Sequence, residues 1–221
     1  MIRCSSLFSD RKEAGEILAE KLEKLRLENP VVLAIPRGGV VVGYEVARKL
    51  KAPLDVIVPR KLGAPGNPEL AIGAVAEDGA IILDSSLIDY LEVDEGYIKK
   101  EKERQVKEIK RRLNVYRGRF SRLEIERRDV VIVDDGIATG ATIRAAIASV
   151  RKRKPASLTL AVPVAPPSTI EKLREEVDRI VCVSTPEPFF AIGQFYTDFR
   201  QTTDEEVIRL LEKNRREVAK T

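Results

Sequence analysis

The chain has 221 residues, 43% of them hydrophobic and 33% charged, enough for one sizeable core, or a core with a small appendage, but not for two full domains. It contains no histidine, which excludes Ser-His-Asp and Cys-His catalysis, His-ligated zinc or haem, and a histidine general base. The net charge of +4 is the small difference between 39 basic and 35 acidic side chains, a balance that suits anionic small molecules and does not demand nucleic acid.

The N-terminal MIRCSSLFSDRKEAGEI lacks the uninterrupted apolar core of a signal peptide, and no stretch of about 18 apolar residues follows. A cytoplasmic protein without membrane attachment is the expectation. Cys4 reads as an ordinary thiol. Asp10 followed by Glu13 has capping-box spacing, and Ala14, Ile17, Leu18, Leu22 and Leu25 recur at helical intervals, which predicts an amphipathic helix over about 10–27. VVLAI (31–35) is a short β-branched strand, broken by Pro36-Arg37-Gly38-Gly39. A helix to about Leu50 follows, then a strand, LDVIV (54–58). PRKLGAPGNPEL (59–70) carries two Gly and three Pro and reads as a loop. AIGAVA and GAIILD form a strand pair that turns at Gly79.

Residues 95–116 are a charged helix with Val106, Ile109, Leu113 and Tyr116 on one face. VVIVD (130–134) is a strand buried on both faces, and a helix follows from about Gly140 to Lys152. TLAVPVA (159–165) and RIVCV (179–183) are further strands, the second holding Cys182 as a core thiol. Ser168 with Glu171 caps the helix between them, and Thr203 with Glu206 caps a final one. Two cysteines so far apart make neither a metal site nor a disulfide framework. Strands of four to seven apolar residues alternating with helices give an α/β architecture with a mainly parallel sheet, read as one compact domain over 1–221. Abundant Lys, Arg and Glu with one Met and no Trp lean towards a thermophile.

The strongest chemical signal is VVIVDDGIATGAT, residues 130–142. A buried strand delivers Asp134 and Asp135 to its carboxyl end, the edge where open parallel sheets bind ligands. Small residues then lead into a helix, so that backbone N–H groups and the helix dipole favour a phosphate. Two carboxylates beside a phosphate cradle would repel it unless they hold hydroxyls or face a metal ion. A sugar phosphate with free hydroxyls suits both halves.

This stretch closely resembles the motif with which type I phosphoribosyltransferases bind 5-phosphoribosyl 1-diphosphate (PRPP). The resemblance implies that Asp134 and Asp135 take the ribose hydroxyls and act catalytically. It implies that Gly136, Ile137, Ala138, Thr139, Gly140, Ala141 and Thr142 wrap the 5-phosphate. Pro36-Arg37-Gly38-Gly39 matches the family's diphosphate loop, with Arg37, Gly38 and Gly39 as its residues and Arg37–Gly38 as the candidate for the cis peptide found there in family members. Arg60 and Lys61 open the segment that corresponds to the family's mobile loop, though either residue alone reads equally well as a solvated base at a loop edge. PEPFFAIGQFYTDF (186–199) gathers most of the aromatic residues of the chain's second half. It corresponds to a hood of about 186–200, with Phe189 or Phe190 stacking on an acceptor, or equally to a small hydrophobic cluster. DRKEAG, RKLGAPGNPELAIGAVAEDG and FYTDF are also shared with predicted phosphoribosyltransferases of bacteria and archaea.

The resemblance implies transfer of the 5-phosphoribosyl group from PRPP to a nitrogen acceptor with release of diphosphate. Mg2+ would be the cofactor, held mainly through PRPP oxygens and waters, so no protein ligand is assigned to it. Homodimers are common in the family. Ala138 stands where 6-oxopurine members carry a carboxylate, which speaks against a hypoxanthine- or guanine-type mechanism and leaves the acceptor open. Two other readings stay open: a PRPP-sensing regulator, for which the basic 99–128 stretch would matter, and a hydrolase of a phosphorylated sugar. Glu101, Glu103 and Glu108 interleave that stretch, so a solvated structural helix is the better account of it and a nucleic-acid partner is not expected.

Overall fold

The apolar runs become a five-stranded parallel sheet in the order β2 (Leu54–Val56), β1 (Pro30–Ala34), β6 (Asp129–Val133), β7 (Ser157–Val164), β8 (Arg179–Ser184). The computed structural model describes residues 6–220; Cys4 lies outside them. Successive side chains point to opposite faces of each strand, so continuous apolar runs mark a sheet covered on both sides. Val31 and Leu33 of β1 and Val130 and Ile132 of β6 pack with helices α5 (Ala141–Arg151) and α6 (Pro167–Leu173). Val32, Ala34, Val131 and Val133 pack on the other face with α1 (Arg11–Glu23), α2 (Gly38–Leu50), α4 (Glu95–Arg117) and α7 (Asp204–Val218). The expected α/β architecture, a parallel central sheet flanked by helices, is present.

Two of the three expected caps are present, whereas α6 opens at Pro167, which has no N–H to satisfy, so Ser168 lies inside the helix and caps nothing. Asp10 accepts from Glu13 N at 2.9 Å and Thr203 from Glu206 N at 3.2 Å. α5 is anchored by Ile143, Ile147 and Val150, all buried; at roughly 1.5–3 kcal/mol for each large apolar side chain, they hold its amino end firmly at the sheet edge. The free edge of β2 is closed by buried Asn214 of α7, which accepts from Leu54 N at 2.8 Å and donates to Ala52 O at 3.1 Å. Among the described residues no helix is long and apolar enough to cross a membrane.

Residues 59–70, expected to be a loop, instead supply β3 (Arg60–Ala64) and the start of β4 (Asn67–Val75), which with β5 (Ile81–Leu83) form a three-stranded antiparallel sheet. The glycine and proline positions explain the difference. Pro65 and Gly66, the latter at φ +72°, make the turn between the strands. Gly63 lets β3 approach Pro68 so closely that a methyl group would lie 2.7 Å from Pro68 Cα. Pro68 falls where β4 pairs with β3 alone, so its missing N–H breaks no ladder to β5. The expected pair after it does turn at Gly79, at φ +78°. α3 (Ser85–Tyr90), capped by Asp84, is a short helix the sequence reading lacked. Half-buried Arg117 ties this sheet to the central one, reaching Asp55 at 3.0 Å, Glu77 at 3.3 Å and Val56 O at 2.9 Å.

Candidate active site

Parallel pairing of β1 with β6, Ala34 opposite Val133, brings two loops almost a hundred residues apart to one edge. Asp134 and Asp135 leave β6, and Pro36-Arg37-Gly38-Gly39 leaves β1. The contact is close enough to require glycine. A methyl group at Gly38 would lie 1.9 Å from Asp135 Oδ2, and one at Gly39 would lie 2.8 Å from Asp134 Oδ1 and 2.9 Å from its Cα. The cis peptide expected at Arg37–Gly38 is one bond earlier, at Pro36–Arg37. Local pattern marked the loop as a whole and not the bond within it.

Asp134 is partly buried, and its Oδ1 accepts from Asp135 N at 2.8 Å. Burial, and after it the neighbouring Asp135 carboxylate, push the Asp134 carboxyl well above the ordinary carboxylate value. The turn that follows is tied down at three points. Ile137 N donates to Val164 O at 2.9 Å, Thr169 Oγ1 donates to Ala138 O at 2.6 Å, and Gly140, at φ +82°, sets the start of α5. Among the described residues the backbone N–H groups of Ala138 to Ile143 have no protein acceptor. They are the free donors of a helix start, at the positive end of its dipole.

A cleft of roughly 920 Å3 runs between this turn and the second sheet, lined by Thr139, Ala141, Thr142, Lys61, Arg144 and Lys172 among others. A smaller recess of about 440 Å3 shares Thr139, Thr169 and Lys172 with it and continues to Ala138, Glu187 and Phe189. Strand alternation separates the basic pair: Lys61 lines the cleft, where it pairs with Glu69 at 2.8 Å, whereas Arg60 turns to α4 and donates to Gln105 at 2.5 Å. Arg37 likewise points away from the acidic pair, towards Asp204 at 3.9 Å. Phe189 lies against Phe195 with ring centroids 4.8 Å apart and borders the recess, while Phe190 is 83% exposed. A hollow of about 620 Å3 between α4 and α7, lined by Val115, Phe120 and Arg215, shares no residue with this cleft.

Arg11 escaped the sequence reading, and Tyr196 and Phe199 were read there only as part of the aromatic hood or cluster. Arg11, the first residue of α1, donates from Nε to Asp135 Oδ2 at 2.7 Å and from Nη1 to Arg200 O at 2.8 Å, with its guanidinium 3.8 Å over the Phe199 ring. Tyr196 donates its hydroxyl to Asp135 O at 2.6 Å, and burial pushes that phenol up from its ordinary value. Backbone bonds zip residues 7–9 to residues 195–198: Leu7 N and Phe8 N donate to Phe195 O, Thr197 N to Phe8 O, and Asp198 N to Ser9 O. The available signal was their place in DRKEAG and FYTDF, which local periodicity does not connect to Asp135.

The pattern of the phosphoribosyl transferase domain matches residues 9–200. A Mycobacterium tuberculosis protein provisionally named a phosphoribosyl transferase is 43% identical over 213 residues, covering 96% of this chain and 48% of that protein. The chain thus spans about half the length of the curated relatives it matches. The crystal structure of TT1426 from Thermus thermophilus is 46% identical with a TM-score of 0.81, covering 93% of this chain and 98% of that one. A Neisseria gonorrhoeae protein solved with bound ppGpp shares the fold at 14% identity and a TM-score of 0.53, covering 92% of both chains.

Proposed function

The chain belongs to the phosphoribosyl transferase domain family, and from that premise we propose that it binds PRPP at residues 134–142 and transfers the 5-phosphoribosyl group to a nitrogen acceptor. The observation that carries the reading is the contact of Gly38 and Gly39 with Asp135 and Asp134 beside a turn of unpartnered N–H groups. In this reading Asp134 and Asp135 accept from the ribose hydroxyls and stabilise positive charge developing on the sugar ring. The amides from Ala138 to Ile143, with the Thr139 and Thr142 hydroxyls, take the 5-phosphate and fix the geometry of displacement. Gly38 and Gly39 admit the diphosphate to the β1 loop, and Lys61 exchanges Glu69 for it.

The nitrogen lone pair forms the new bond to C1 as the bond from C1 to the diphosphate oxygen breaks, and the diphosphate leaves with that electron pair. Glu187, the carboxylate lining the recess, accepts the proton the acceptor loses. Phe189 supplies its flat apolar wall. Mg2+, when bound, neutralises the departing diphosphate. The donor set fits a metal carried by the substrate: among the described residues no three His, Cys, Asp or Glu side chains gather as a cage, and Mg2+ is commonly held through substrate phosphates and waters. α4 speaks for a small-molecule partner, because Arg104 pairs with Glu101 at 2.7 Å, and Arg111 and Arg112 pair with Glu108 at 2.7 and 3.0 Å.

Calorimetric titration of PRPP with Mg2+ into the wild type and Asp134→Asn/Asp135→Asn tests the reading. Binding that the double variant loses, followed by acceptor-dependent diphosphate release, is the expected result. A folded wild type that binds no PRPP refutes it.

A further inference from the structure

DRKEAG and FYTDF converge on Asp135. Besides Arg11, three residues of the first segment have a physical part in this. Asp10 caps α1, Ala14 is fully buried, and Gly15 lets α1 lie so close to α2 that a methyl group would sit 3.0 Å from Val42 O and Glu45 Cβ. That close packing holds the first turn of α1, and with it Arg11, at the carboxyl edge of the sheet. FYTDF supplies the seat. Phe199 lies under the guanidinium, Tyr196 stacks on Phe199 at 5.0 Å, and the Tyr196 hydroxyl holds the backbone of Asp135 while Arg11 holds its side chain. Arg11 also stands beside Gly38, 2.6 Å from where a methyl group there would be. The cation at the junction of the two loops is therefore Arg11, not Arg37.

Resting on the reading of this site as a phosphoribosyl site, we propose that Arg11 is a positioning residue: it grips Asp135 by one carboxylate oxygen, presents the other to the ribose hydroxyls, and supplies the positive charge that lets two adjacent carboxylates coexist. A guanidinium suits the task because its rigid fork makes two separate donations while its face rests on an aromatic ring, which an ammonium does not reproduce. The other groups around the pair leave the task to Arg11. The β1 loop presents only Gly38 and Gly39, Arg37 is turned to Asp204, and Tyr196 is a neutral donor.

The test is the affinity of the full chain for PRPP with Mg2+, measured by calorimetry over an acid-to-neutral pH series. The variants are Arg11→Gln, Arg11→Lys, Asp135→Asn and Arg11→Gln/Asp135→Asn, each with its unfolding midpoint recorded. Arg11→Gln is expected to weaken binding about tenfold to a hundredfold, the scale of a charge-assisted hydrogen bond. Without the cation Asp134 holds its proton more tightly, so the acid limb of the binding profile moves to higher pH. Arg11→Lys restores the position of that limb but only part of the affinity. The loss should vanish in the Asp135→Asn background, because Arg11 acts through Asp135; a simple tie between α1 and the backbone at Arg200 would add its cost there unchanged. Wild-type affinity and pH profile in folded Arg11→Gln, or additive losses, overturn this inference alone. If Arg11→Gln does not fold, Arg11→Lys with and without Asp135→Asn decides by the same criterion of additivity. A folded wild type that binds no PRPP overturns the reading of function and this inference with it.

Discussion

A methyl group added at Gly38 meets only the movable ends of two side chains, Asp135 Oδ2 at 1.9 Å and Arg11 Nε at 2.6 Å, whereas one at Gly39 meets backbone, Asp134 Cα at 2.9 Å and Val133 O at 3.1 Å. The two alanine variants should therefore fail differently. In Gly38→Ala the Asp135 carboxylate has to retreat by about 1.5 Å to reach ordinary contact distance, which breaks its 2.7 Å bond to Arg11. Loss of that bond costs about 1.5–3 kcal/mol, and alanine's better helix propensity at the start of α2 offsets about 1 kcal/mol. The net loss of stability is about 0.5–2 kcal/mol. PRPP affinity falls further, about tenfold to a hundredfold, because the displaced carboxylate is the ribose acceptor in the proposed reaction. In Gly39→Ala the end of β6 itself has to shift, an overpacking cost of about 1–3 kcal/mol. Urea denaturation gives the stabilities and calorimetry with PRPP and Mg2+ the affinities. A Gly38→Ala protein that binds PRPP within twofold of wild type, or that loses more stability than Gly39→Ala, would refute the argument from close contact.

Two other outcomes follow from the site. Because the carboxyl of Asp134 is raised in the folded chain, the fold binds its proton more tightly than the unfolded chain does; that contribution is complete below the unfolded carboxylate value of about 3.9 and is lost as pH rises through the raised value. Asp134→Asn should thus raise the urea midpoint at neutral pH and leave it unchanged near pH 4, and a gain of equal size at both would show that charge is not the cause. Lys61→Met should weaken PRPP binding about three- to tenfold, with most of the difference gone in high salt. Arg60→Met, on the opposite face of β3, should lower the unfolding midpoint and leave affinity within about twofold; equal losses of affinity in the two would contradict the strand alternation.

The legible part of the site was the part that is contiguous. Residues 130–142 carry a strand, an acidic pair, a turn and a helix start in one run, and each is specified by its immediate neighbours, so the turn and its place at the carboxyl edge followed from the chain itself. The two-faced burial of the central strands followed for the same reason, since unbroken apolar runs have one good explanation in an α/β chain. Residues 59–70 misled because their glycines and prolines were weighed by number, whereas their effect depends on position: a turn at 65–66, a close approach at Gly63, and a proline on a stretch without a second neighbour.

Only the packing of layers decided the rest. Arg11 and Asp135 are 124 residues apart and meet because Gly15 lets α1 settle on α2 and residues 7–9 pair with residues 195–198 at the sheet edge. Arg37 and Arg60, both plausible anion ligands by position, are drawn to Asp204 and Gln105. Periodicity along a sequence reports which face of an element is buried; which distant side chain meets that face is set by the angle and spacing at which the elements pack, and no local pattern encodes it.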